Sequence, residues 1–239
     1  MADAALEKYI ELYNKSASIS RIKPLSNQTY RIFKASGVDI RVTNRALVYE
    51  DPMAFQKIKN FISDHQYFYM IPITTIKGTI VGFILRSVVG KKEYSSVSRT
   101  FSDYTKQVPL MFGFDSSFKK FDESEKPYPI IVCEGCKDCL MLKRFYPFVV
   151  ANNTSSMGMN LTVLRNISNR FLLAYDNDEA GREGMLKDRK ALRKLGAYVD
   201  ILELDKEFKD CADYEGHPIK FRELLGRIKR HLKTLSSAS

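Results

Sequence analysis

The chain has 239 residues, enough for one substantial core or two modest ones. Thirty-eight Lys and Arg against 28 Asp and Glu give a formal net charge of +10, which favours a polyanionic partner, nucleic acid first and an anionic membrane surface second. No apolar run approaches the roughly 20 residues that span a bilayer, the start lacks a signal peptide's basic-then-apolar order, and four cysteines (Cys133, Cys136, Cys139 and Cys211) make no disulfide framework, so a soluble intracellular protein with reduced thiols is expected.

In chain order, the first thirty residues predict helix from the spacing of Leu6, Ile10, Leu12 and Tyr13, and Asn27 to Ile40 continues a helical pattern to a stop at Gly37. Tyr67–Ile73 and Thr79–Leu85 are β-rich and predict a hairpin across Lys77-Gly78. Arg86, Lys91, Lys92, Arg99 and Lys106 follow among Tyr94, Phe101 and Tyr104, a mix that suits phosphates and bases and equally suits a solvated sheet face. Lys119 to Pro129 is polar and reads as a linker. Beyond it, apolar runs at Ile130–Cys133, Phe148–Ala151, Phe171–Tyr175 and Tyr198–Leu204 alternate with helical stretches at Lys137–Phe145, Leu161–Asn166 and Glu179–Leu195, the pattern of βαβ units and a parallel sheet. An amphipathic basic helix over Ile219–Leu235 closes the chain.

Open α/β sheets bind ligands at the carboxyl ends of their strands, and the acids fall there. One strand runs into Glu134-Gly135 and another into Asp176-Asn177-Asp178, whose two aspartates share a side if the backbone stays extended. Crowded carboxylates raise one another's pKa unless a cation neutralises them, and oxygen-only donors suit Mg2+, with Mn2+ able to substitute. The helix opening at Glu179-Ala180-Gly181-Arg182 adds free N–H groups and a guanidinium for phosphate. Taken alone, each motif also reads as a turn, a helix cap or a strand end; their coincidence at matching strand ends favours a site.

Val132-Cys133-Glu134-Gly135 and Ala174-Tyr175-Asp176-Asn177-Asp178-Glu179-Ala180-Gly181-Arg182 resemble the glutamate and Asp-x-Asp motifs of the Toprim domain shared by topoisomerases and primases, in the extended form of DnaG-type bacterial and phage primases. Lys209-Asp210 is similar to the downstream Lys-Asp segment, with Asp210-Cys211-Ala212-Asp213 where the family often has Asp-Pro-Asp. Ile71-Pro72-Ile73, Lys77 to Phe83, Arg86 and Leu110 to Asp115 look like the segments preceding the primase Toprim domain.

The resemblance implies an α/β chain: a mixed α+β basic subdomain over 1–125, a parallel-sheet, Rossmann-like Toprim domain over 126–215 and a helical tail over 216–239. It further implies a DNA primase in the cytoplasm of a bacterial or phage-infected cell, making short RNA primers on single-stranded DNA from ribonucleoside triphosphates beside a replicative helicase, with no membrane. Glu134, Asp176 and Asp178 would be catalytic and would hold Mg2+ with Asp210, Glu134 serving as a ligand or as an acid–base group. Arg86, Lys91, Lys92, Arg99 and Arg182 would contact nucleic acid or nucleotide. A Toprim nuclease and a non-enzymatic recombination mediator are the rivals; the basic β-rich region favours the primase.

Other features weigh less. The Cys133, Cys136 and Cys139 spacing could suggest a metal, but the first lies in an apolar strand and the third on a helix, so packing is the expectation. His65, His217 and His231 pair with no nucleophile. Asn152 to Gly158 is a plain loop or a nucleotide contact, and Lys187, Arg189, Lys190, Arg193 and Lys194 read first as a solvated helix face. No paired Cys-x-x-Cys or Gly-x-x-x-x-Gly-Lys-Ser/Thr loop occurs, so template-site recognition and helicase activity are not expected of this module.

Overall fold

A computed structural model of the chain describes residues 31–34, 56, 60–61, 63–65, 67–74, 80–87, 94–98, 111–114, 116–119, 121, 128–152 and 160–238. The N-terminal helical reading, Lys91, Lys92 and Arg99, and most of the 119–129 and 152–158 segments lie outside them. Two compact units divide the chain, one formed by 1–73 and 80–101, the other by 74–79 and 102–239.

The first unit carries a four-stranded sheet in the order β1 (Arg31–Lys34), β2 (Tyr67–Thr74), β3 (Ile80–Ser87), β4 (Tyr94–Ser98). Arg31–Lys34, which the local pattern assigns to a helical stretch, is a strand, because antiparallel pairing with Tyr67–Met70 supplies its backbone partners. The expected hairpin corresponds to β2 and β3, neighbours separated by five residues, too few for the crossover a parallel pair needs.

The second unit holds a parallel sheet in the order β6-β5-β7-β8, built from β5 (Ile130–Cys133), β6 (Val149–Ala151), β7 (Arg170–Ala174) and β8 (Tyr198–Ile201). Between them lie α1 (Cys136–Lys143), α2 (Asn160–Ile167) and α3 (Glu179–Lys194); α4 (Pro218–Ser237) follows. β5, β6 and β7 are buried along their whole length, as strands covered on both faces must be. Ile130, Val132, Phe171 and Leu173 share a core with Leu164 of α2 and Leu192 of α3. Period-two alternation turns Ile131, Cys133, Leu172 and Ala174 to the other face, against which α1 and α4 pack.

The chain leaves β5 towards β6 and leaves β7 towards β8, in opposite directions from two adjacent strands. Their shared carboxyl ends are therefore the switch point of the sheet, where a crevice opens. α3 stops in a Schellman motif: Gly196, at φ +75°, lets its own N–H reach Arg193 and that of Ala197 reach Leu192.

The unit begins before its sheet. Phe112 exchanges two backbone hydrogen bonds with Ala151, 3.0 and 2.8 Å long, adding an antiparallel bridge beside β6. Phe114, Phe118 and Phe121 then pack against Phe148, with ring centroids 4.8 to 5.6 Å apart along the cluster. Gly113 makes this possible. It sits at φ +110°, and a Cβ there would lie 2.6 Å from the Val149 carbonyl oxygen and 2.7 Å from Cys139 Sγ. Gly113→Ala is therefore expected to cost roughly 3 kcal/mol of stability, from strain and overpacking together. Gly216→Ala, with nothing within 4 Å of its added methyl, should stay within about 0.5 kcal/mol; denaturant unfolding of both variants checks the contrast.

Candidate active site

Glu134 follows β5 and Asp176 follows β7 by two residues, and the backbone N–H of Asp176 donates to Glu134 Oε1 at 3.2 Å, fastening the two strand ends together. Asp178 caps α3: its Oδ1 accepts the N–H of Gly181 at 2.9 Å. Gly181 must be glycine here, since a Cβ would fall 2.2 Å from the Asp176 carbonyl oxygen and 2.7 Å from Glu134 Oε1. Its lack of a side chain lets α3 start directly on the acids.

Asn177 turns away from the acids and clamps a third segment. Its N–H donates to the Lys209 carbonyl at 2.6 Å, and its amide Nδ2 reaches the carbonyls of Asp205 and Phe208. Held this way, Lys209 places its ammonium 3.0 Å from Asp178 and 3.6 Å from Asp176. Asp210 caps the 3-10 turn Cys211–Gly216, accepting the N–H of Asp213, while the Asp213 carboxylate accepts the N–H groups of Lys209 and Asp210. Asp213 thus serves the backbone, in a reciprocal capping box.

Asp138, which sequence reasoning missed, completes the cluster. It is 4% exposed, and its Oδ1 accepts the N–H of Ala212 at 2.9 Å, tying α1 to the turn that Asp210 opens. One signal could have found it: position 138 lies four residues past Glu134, one helical turn beyond the motif.

Burial first, and then the charge of Asp176, push the Glu134 carboxyl up to about 7. Burial and then Asp210 push Asp138 up to about 8. Asp176 is raised by burial and by Asp210, against the lowering effect of Lys209. Asp178, largely solvated, is lowered by its hydrogen bond from Gly181 and then by Lys209. The two aspartates share one ammonium yet shift in opposite directions, because only Asp176 is substantially desolvated.

This donor set is all carboxylate and is under-neutralised, which fits a hard divalent cation. Among the described residues no three His, Cys, Asp or Glu groups already converge on one point, and Lys209 bridges the two aspartates that such an ion would use. The lysine side chain is 60% exposed, so it can swing aside at little cost. The thiols do not compete: Cys133 donates to the Val150 carbonyl and Cys139 to that of Val149, and burial holds Cys133 and Cys211 well above the usual thiol range.

Of the expected phosphate contacts, Arg182 is exposed on the first turn of α3, its Nη1 donating to both the backbone and side-chain oxygens of Asn177. Arg86 lies in β3 of the other unit, partly buried and paired in register with Tyr94. Asn152 is buried, and its side-chain oxygen accepts from Asn160.

A family model described as Toprim-like matches residues 131–215. The match covers a little over a third of the chain. Every site acid named above lies within the matched residues, after β5 or β7, on α1, at the start of α3 or at the 3-10 turn Cys211–Gly216. The fold is similar to that of DnaG-type primase catalytic cores. The chain is similar to the Aquifex aeolicus primase zinc-binding and RNA polymerase domains (22% identity, 94% of this chain and 55% of that one, TM-score 0.64). It is also similar to the RNA polymerase domain of Mycobacterium tuberculosis DnaG (20% identity, 82% and 79%, TM-score 0.54) and to a DnaG primase catalytic domain bound to ssDNA (18%, 70% and 52%, TM-score 0.53). The chain spans about half the length of the first and third of these. No curated protein matches it by sequence.

The raised carboxyls of the second unit make stability pH-dependent. Unfolded, Glu134 and Asp138 would titrate near their ordinary values of about 4, so the folded chain holds protons that the unfolded chain has released. That stability is present in full below about pH 4 and is lost as pH rises through about 7 and about 8. Melting temperature in chelator should therefore fall between pH 5 and pH 8.5. Asp138→Asn, which keeps an oxygen for Ala212 but cannot ionise, should flatten the upper part of the fall, as should added Mg2+. A melting temperature that rises across this window contradicts the assigned shifts.

Proposed function

We propose that the chain is the polymerising core of a DNA primase, joining ribonucleotides on a single-stranded DNA template. The observation that supports this most is the placement of Glu134, Asp176 and Asp178 at the switch point of a Toprim-like sheet, with Asp210 close enough to raise the Asp176 carboxyl, within a chain folded like primase cores. The fold is shared with a protein whose structure holds ssDNA, and the charge of +10 suits the same partner. Magnesium is the ion we assign, with manganese as substitute, and a replicative helicase is the partner the resemblance implies.

In this reading Asp176, Asp178 and Asp210 hold the divalent cation. When bound, it supplies charge stabilisation at the attacked phosphate and at the leaving pyrophosphate. Glu134, with a carboxyl near 7, is placed to take the proton of the attacking 3′-hydroxyl. Arg182, with the free N–H groups of the first turn of α3, steadies the triphosphate, while Asn177 holds that guanidinium and the Lys209 segment in place. Lys209, displaced from the aspartates, is left with an ammonium for phosphate. Arg86, Lys91, Lys92 and Arg99 belong to the template-binding side in the basic subdomain over 1–125, with 126–215 as the catalytic domain and 216–239 as its tail.

The test is incorporation of labelled ribonucleotides on single-stranded DNA in Mg2+ or Mn2+. Asp176→Asn and Asp178→Asn are expected to reduce synthesis by at least about 100-fold with unchanged circular dichroism. Asparagine is also a good N-cap, so the second substitution removes charge while α3 keeps its start. Strand cleavage without synthesis would replace the primase reading with a nuclease, and near-normal synthesis by both variants would remove the site.

A further inference from the structure

α3 carries more positive charge than its place in the fold requires. Gly181, Gly184, Asp188 and Leu192 form its buried side. The opposite face exposes Arg182, Leu186, Lys187, Lys190, Arg193 and Lys194, with Arg189 beside them; the exposed acids of the helix are Glu179, at its first position before the stripe begins, and Glu183. Among the described residues no carboxylate pairs with Lys187, Arg189, Lys190 or Lys194, and the buried Arg189 Nε has no hydrogen-bond partner. A solvated helix face ordinarily interleaves both signs as i,i+4 pairs; here even Glu183 and Lys187, so spaced, form no bridge. Leu186, Arg189, Lys190, Arg193 and Lys194 line one shallow open depression, and Leu186 is 57% exposed within it.

The placement matters as much as the charge. The stripe begins at Arg182, one turn from Asp178, and runs to Lys194, roughly 18 Å at 1.5 Å per residue. At ~3.4 Å of axis per charge on one strand, that is about five nucleotides. We propose that this face of α3 is a second nucleic-acid contact, a track for the sugar–phosphate backbone of the single strand whose reacting end lies at the acid cluster. It rests on the reading of that cluster as a nucleic-acid site. Lysines meet the phosphates, and Leu186 lies against sugar or base.

The test is anisotropy of labelled single strands of 6 and 24 nucleotides across a salt series, with the full chain and Lys187→Gln/Lys190→Gln/Lys194→Gln. Three lost phosphate contacts at about 0.7 each should lower the salt slope by about 2 for the 24-mer, and weaken its binding about tenfold or more at low salt. The 6-mer, long enough to cover the track, should lose slope to a similar extent. The triple Lys→Arg variant should bind like wild type. Lys229→Gln/Arg230→Gln/Lys233→Gln, which removes three exposed charges from α4, is the control for bulk charge.

An unchanged slope in the α3 variant, an equal loss in the α4 control, or failure of the Arg variant overturns the track. Wild-type chain that binds DNA steeply but makes no RNA contradicts the primase reading while leaving the track standing. Wild-type chain that makes RNA with an unchanged variant slope does the reverse, and no DNA binding by wild type overturns both.

Discussion

Like charges brought out of water repel, and this chain gathers them. Glu134, Asp138 and Asp176 all have raised carboxyls because the fold desolvates them beside one another and beside Asp210. Much of the second unit's architecture serves to hold them there in spite of that. β5 and β7 are adjacent and parallel, so their ends arrive together; the Asp176 N–H bonds Glu134; the missing side chain of Gly181 lets a helix start close behind; and the Ala212 N–H bonds Asp138. An arrangement held together by backbone hydrogen bonds while its side chains repel is one that a bound cation would neutralise, as the proposed function requires.

Lys209 gives that arrangement a resting state. Its ammonium bridges Asp176 and Asp178 from an exposed position, so it offers partial neutralisation with little commitment. The segment that carries it is more firmly held, by Asn177 on one side and the Asp210–Asp213 capping box on the other. Residue 177, which the Asp-x-Asp pattern leaves open, is the joint between the second and third acidic segments. The site therefore has a frame fixed by backbone hydrogen bonds and one solvent-exposed ammonium.

Strand ends were legible because buried parallel strands are short, continuous apolar runs, and the acids that follow them interrupt the pattern abruptly. Ile130–Cys133 ahead of Glu134 and Arg170–Ala174 ahead of Asp176 stand nearly where the hydrophobicity places them. Asp138 was not legible, since an aspartate in the first turn of a helix ordinarily faces water and nothing local announces that Ala212, distant in sequence, will bury it. Phe121 falls inside the polar stretch that reads as linker, yet an aromatic cluster with Phe118 seats it on the sheet through Phe148, a contact that only the tertiary fold creates. Arg31–Lys34 was misread for the same kind of reason, a strand whose partner lies some thirty-five residues away. The solvated reading of α3 passed over its unpaired lysines, because the absence of partners becomes visible only when all neighbours are in place.

The central claim is that the carboxylate cluster is completed by a divalent cation, and proton linkage tests it most directly. Titrating Mg2+ or Mn2+ into the full chain near pH 7.5 by calorimetry, in buffers of different ionisation enthalpy, counts the protons displaced on binding. With Glu134 near 7 and Asp138 near 8, binding should release a fraction of a proton or more, and should strengthen as pH rises from 6.5 to 8.5. Binding that releases no protons and is indifferent to pH, or no binding that Asp176→Asn abolishes, would contradict the account.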